Sequence, residues 1–131
     1  MCLIITAELQ GIDPKRLPAL AETWPKERLP FAVRSGGWLR PRPVKLALDG
    51  CDLLADDADW NAETWAMEPD SLEQLADAFA WLFDQHTGDV VVEALWLGDR
   101  PETACVLTPA EFLDIVRRGA IGTKTRYVVR R

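Results

Sequence analysis

The chain has 131 residues, 21 Asp and Glu against 15 Lys and Arg, a net charge of -6 and a single histidine. Such a length suits one domain, 1–131, able to bury roughly two-thirds of its unfolded surface without help from a disulfide or a metal. No apolar run approaches the roughly 18 residues of a membrane span, Cys2, Cys51 and Cys105 form no C-x-x-C pair, and the apolar start lacks the basic flank of a signal peptide; a cytoplasmic protein with reduced thiols is expected.

Cys2 to Leu9, rich in aliphatic and β-branched residues and stopped by Gly11, predicts a buried strand. Asp13 before Pro14 predicts a short helix, ended by Pro25. Phe31 to Val33 and Val44 to Leu48 read as strands separated by Gly36-Gly37 and Pro41-Arg42-Pro43.

Asp70 to Thr87 carries the clearest helical stripe: Leu72, Leu75, Ala76, Phe79, Leu82 and Phe83 recur at helical spacing. Asp70 with Glu73, or Ser71 with Gln74, offers a capping box, and Gly88 stands where a left-handed residue would end the helix. Val90 to Leu97 is apolar on both faces except at Glu93 and predicts a central strand. The turn Gly98-Asp99-Arg100-Pro101 then predicts a hairpin with Thr103 to Leu107, which places Cys105 in the core. Thr108-Pro109-Ala110-Glu111 is a capping box for a short helix that buries Phe112, Ile115 and Val116 and stops at Gly119. From Lys124 to Arg131, Thr125, Tyr127 and Val129 alternate with Arg126, Val128 and Arg130, the pattern of a half-exposed strand.

This order predicts an α+β fold, a mixed or antiparallel sheet of about five strands covered by two or three helices on one face. A ferredoxin-like core with an added hairpin fits it.

Charge is sorted by position. Residues 1–48 sum to +4, residues 49–114 to -16 and residues 115–131 to +6. If the blocks stay apart after folding, the surface carries two fields of opposite sign, suited to docking a protein partner or a second copy. The basic side chains Arg117, Arg118, Lys124, Arg126, Arg130 and Arg131 form a candidate face for nucleic acid, but the net charge and the lack of a recognition motif argue against that partner.

Two segments have the chemistry of a ligand site. Arg34-Ser35-Gly36-Gly37-Trp38-Leu39-Arg40-Pro41-Arg42 combines guanidinium groups, glycine-exposed amides and a stacking indole, so Arg34, Gly36, Gly37, Trp38, Arg40 and Arg42 are candidates for binding a small phosphate or carboxylate. Asp57, Asp59, Asn61 and Glu68 have the spacing of a Ca²⁺ loop, with Ala62 where the turn requires glycine and Pro69 where the exiting helix should continue.

No catalytic set is expected. His86 suits the negative pole of its helix, carboxylates near Cys51 disfavour its thiolate, and Cys2 reads as a strand residue despite its position after Met1. Of six tryptophans, Trp96 reads as core on the central strand and Trp81 as a residue at the core boundary of its helix. Trp60 and Trp65 lie in irregular stretches and, with Arg126 and Arg130, are candidates for contacting a partner. The expected function is a non-enzymatic protein-interaction or self-associating module, without cofactor; an anion site and a Ca²⁺ loop are the alternatives.

Overall fold

The computed structural model describes residues 3–12, 14–16, 32–34, 44–49, 69–96 and 98–131. They form strands β1 (Leu3–Leu9), β2 (Ala32–Arg34), β3 (Val44–Asp49), β4 (Val90–Trp96), β5 (Thr103–Leu107) and β6 (Thr125–Val129), helices α1 (Pro69–Gln85) and α2 (Pro109–Arg117), and a 3-10 turn at Pro14–Arg16. The strands join in one mixed sheet in the order β2-β3-β1-β4-β6-β5, every pairing antiparallel except that of β5 with β6. The architecture is α+β.

Two crossovers organise it. β1 is antiparallel to both β3 and β4, so β3 and β4 run the same way with β1 between them and α1 lies on the path that joins them. β5 and β6 are adjacent and parallel, joined through α2. Their directions and their order in the sheet are reversed relative to the first pair, so right-handed crossovers put both helices on the same face. The rings confirm this: Phe79 of α1 meets Phe112 of α2 edge to face at 5.1 Å, and Phe112 meets Tyr127 of β6 at 5.7 Å.

The core lies between that face and the helices. Ile5, Ala7 and Leu9 of β1, Val90, Val92, Ala94 and Trp96 of β4, and Tyr127 and Val129 of β6 are buried, while Ile4, Thr6, Glu8, Val91, Glu93 and Leu95, which alternate with them, are only half-buried. Burial therefore alternates with period two along β1 and β4 and gives one helix-covered face, although β4 is apolar on both faces in sequence. Leu75, Ala76, Phe79, Leu82 and Phe83 of α1 fill the other side, with Trp81 packed at the margin.

Several expectations need correction. β5 does not form a hairpin with β4, because β6 is inserted between them, and the sheet has six strands among the described residues. The ferredoxin-like order is not followed: there a strand separates the two parallel strands of each strand-helix-strand unit, whereas here β5 and β6, joined through α2, are adjacent and parallel with no strand between them. α1 begins at Pro69, so Asp70 and Ser71 are inside its first turn and neither caps it. Gly88 is not left-handed; among the described residues the positive-φ glycines are Gly11 (71°), Gly98 (93°) and Gly119 (65°). Cys105 is exposed on the outer strand, not core.

Thr108 does cap α2 as its sequence predicts. Its hydroxyl accepts from the Glu111 amide at 3.2 Å, and the Glu111 carboxylate accepts from the Thr108 amide at 3.0 Å, with Pro109 at the first helical position.

Candidate functional site

The structure places the sequence-predicted candidates unevenly. Gly36, Gly37, Trp38, Arg40, Arg42, Asp57, Asp59, Asn61, Trp60, Trp65 and Glu68 lie outside the described residues. Arg34 is at the end of β2, at the register position opposite Lys45, which is itself opposite Glu8. Among the described residues no three His, Cys, Asp or Glu side chains gather to hold a metal ion, and no helix is long and apolar enough to cross a membrane.

The cationic carboxyl-terminal block does not remain apart from the acidic middle. β6 enters the sheet between β4 and β5, two strands drawn from the acidic stretch. Arg126 sits opposite Glu93 and donates to it through Nε at 2.6 Å. Arg130 donates to one oxygen of Asp89 through Nε at 3.0 Å and through a terminal nitrogen at 2.8 Å. Lys124 reaches Glu102 at 3.6 Å, and Arg118 reaches Asp114 at 2.9 Å across one turn. Arg131 donates to the Phe83 carbonyl at the end of α1. Arg118, Lys124, Arg126 and Arg130 are thus each paired with an acidic residue while their side chains stay half or more exposed.

The Arg130 pairing leaves an electrostatic mark. Its hydrogen bond holds the Asp89 carboxyl below the ordinary carboxylate range, an effect reinforced by the charges of Arg130 and His86 against some desolvation, and Arg130 is raised in return. His86 follows the last residue of α1 and is buried, with Nε2 2.8 Å from the Gln10 carbonyl at the end of β1. It ties helix to sheet, a role the single-chain pattern does not signal.

What remains exposed and unspent is the outer strand β5. Thr103, Ala104, Cys105 and Val106 are exposed, and only Leu107 is buried. Val106 is 61% accessible, the exposed large aliphatic among the described residues. The Thr103 amide donates to Lys124 and the Leu107 carbonyl accepts from Arg130, so Thr103, Cys105 and Leu107 turn their backbones toward β6. By the alternation of a parallel ladder, the N–H and C=O groups of Ala104 and Val106 point away from the sheet. Thr103 to Leu107 contains no charge and no proline, the two devices that commonly blunt an edge.

Beside it, Pro101, Glu102, Thr103, Ala104 and Arg126 line an open depression of about 190 Å³. That is below the roughly 300–1,000 Å³ of small-molecule pockets. The local geometry suits an extended chain better than a compact ligand.

The sequence did carry a signal for this edge. A strand followed at once by a proline-bearing capping box, a short helix and another strand is the order of a β-α-β unit, which is compatible with β5 and β6 running parallel but leaves their adjacency to the fold. No family model, curated protein or solved structure matches the chain.

Proposed function

We propose that the protein is a non-enzymatic cytoplasmic interaction module that docks an extended segment of another chain along β5. The observation that carries this reading is the outer strand itself: uncharged, exposed over Thr103–Val106, and with the backbone groups of Ala104 and Val106 directed outward. Strand addition satisfies such groups, and side chains alternating along the edge give the pairing its selectivity. With Arg118, Lys124, Arg126 and Arg130 engaged by acidic partners within the fold, the recognition runs through backbone hydrogen bonds and apolar contact rather than through opposed charged faces.

Selection of peptides from a random extended-peptide display library tests it. Peptides are expected that bind the wild-type chain and lose binding to Ala104→Pro, which removes one outward N–H without taking a hydrogen bond from β6. An absence of binders, or binders indifferent to Ala104→Pro, overturns the reading.

A further inference from the structure

We propose that the segment docked on β5 is the β5 strand of a second copy, antiparallel to the first about a two-fold axis through Cys105, so that two six-stranded sheets become one. This rests on the edge-docking reading and names its partner.

The stretch from Pro101 to Pro109 is symmetric about Cys105 in the respects that pairing requires. The two prolines stand four residues to either side, so the paired stretch ends at a residue without an N–H in both directions. The two-fold puts Ala104 opposite the partner's Val106, and Val106 opposite the partner's Ala104. These are the residues whose backbone groups face outward, so each pair exchanges both of its N–H···O=C bonds. Shifting the register by one residue would set inward-turned groups against outward-turned ones, so the ladder itself selects this alignment or one displaced by two. The prolines favour the centred one.

Charge agrees. A chain of net charge -6 repels its copy, yet from 101 to 109 the sole charge is Glu102, which Lys124 already accompanies at 3.6 Å. The two-fold sets Glu102 opposite the partner's Thr108, the cap at the positive pole of α2. No like charges oppose each other within the stretch. Val106 and the partner's Ala104, both exposed in the single chain, cover one another on the same sheet face.

The alignment makes a chemical forecast. Cys105 and the partner's Cys105 form a non-hydrogen-bonded pair, with Cα atoms roughly 4.5 Å apart, inside the about 4.4–6.8 Å that a disulfide spans. A mild oxidant such as diamide, accepting two electrons and two protons from the two thiols, should therefore link the copies through their Sγ atoms.

Sedimentation velocity of the full chain under reducing conditions is the test. Wild type is expected to be a dimer. Ala104→Pro, which removes one outward N–H from each copy, and Val106→Lys, which puts a charge where Val106 meets the partner's Ala104, are expected to keep the circular dichroism of wild type and to weaken dimerisation at least about tenfold. Diamide is expected to cross-link a chain carrying Cys2→Ser and Cys51→Ser, and to leave Cys105→Ser uncross-linked while that variant still dimerises. A monomeric wild type overturns the inference, as does a dimer indifferent to both edge variants or one that Cys105 does not cross-link. If wild type is monomeric yet display-selected peptides bind in an Ala104→Pro-sensitive manner, the docking edge stands and only its partner falls. If neither occurs, both fall.

Discussion

Arg126 of β6 lies directly opposite Glu93 of β4, its Nε 2.6 Å from the carboxylate. The two side chains come from stretches of opposite charge, the basic end and the acidic middle of the chain. The Arg126 side chain is half exposed, at 50%, while that of Glu93 is 16% accessible, so the pair sits at the boundary where solvent screens only one partner well. A double-mutant cycle of Glu93→Gln and Arg126→Ala, measured by denaturant unfolding, is expected to give a coupling of about 0.2–1 kcal/mol, reduced by salt. Additive single effects would remove the pair from the account of how charge is neutralised.

The reciprocal cap on α2 predicts a larger single effect. Thr108→Ala leaves the Glu111 amide without its acceptor and should cost about 1 kcal/mol of stability. Thr108→Ser keeps an acceptor in place and should recover most of the loss, read as a shift of the urea midpoint.

Acid should loosen the fold through Asp89 and Glu111. Both carboxyls are depressed in the folded protein, Asp89 first by the Arg130 hydrogen bond and Glu111 first by the Thr108 amide. A depressed group stabilises the fold above its unfolded value, about 3.9 for Asp and 4.3 for Glu, and loses that contribution as pH falls through the folded value. Asp89→Asn with Glu111→Gln should therefore melt below wild type at neutral pH, with the gap closing as the buffer is taken below about pH 4. A gap that is constant with pH would contradict the assignment.

Gly88 is required for space rather than for backbone freedom. A Cβ built there lies 2.5 Å from the Gln10 carbonyl and 2.8 Å from His86 Nε2, between the two partners of the bond that ties α1 to β1. Gly88→Ala should therefore destabilise by about 1–3 kcal/mol, the range for forcing atoms into filled space. His86→Ala removes that bond but opens room, so Gly88→Ala should cost less in a His86→Ala background. Equal costs in both backgrounds would show that the clash is not with His86.

Gly98 and Gly119 mark how local signals translated. Both follow periodic segments in the sequence, and both adopt the positive φ that lets the chain turn after β4 and after α2. Gly88 looks the same in sequence but has a different reason, because its constraint comes from Gln10, far away in the chain. Likewise Trp96 and Trp81 were placed by their elements, whereas Cys105, in an equally apolar run, was not.

The sequence alone determined which stretches alternate with period two, where the apolar stripe of α1 runs, and how α2 starts, because each depends on side chains within a few residues of one another. Tertiary structure alone decided that β6 enters between β4 and β5. That choice sets a hairpin against a crossover, and it goes with the burial of Phe112 between Phe79 of α1 and Tyr127 of β6 rather than with the residues of the turn. From that one placement follow the pairing of Arg126 with Glu93, the exposure of Cys105, and the free backbone edge of β5. A strand's alternation is a property of its own residues, but its position in a sheet is a property of what lies on either side.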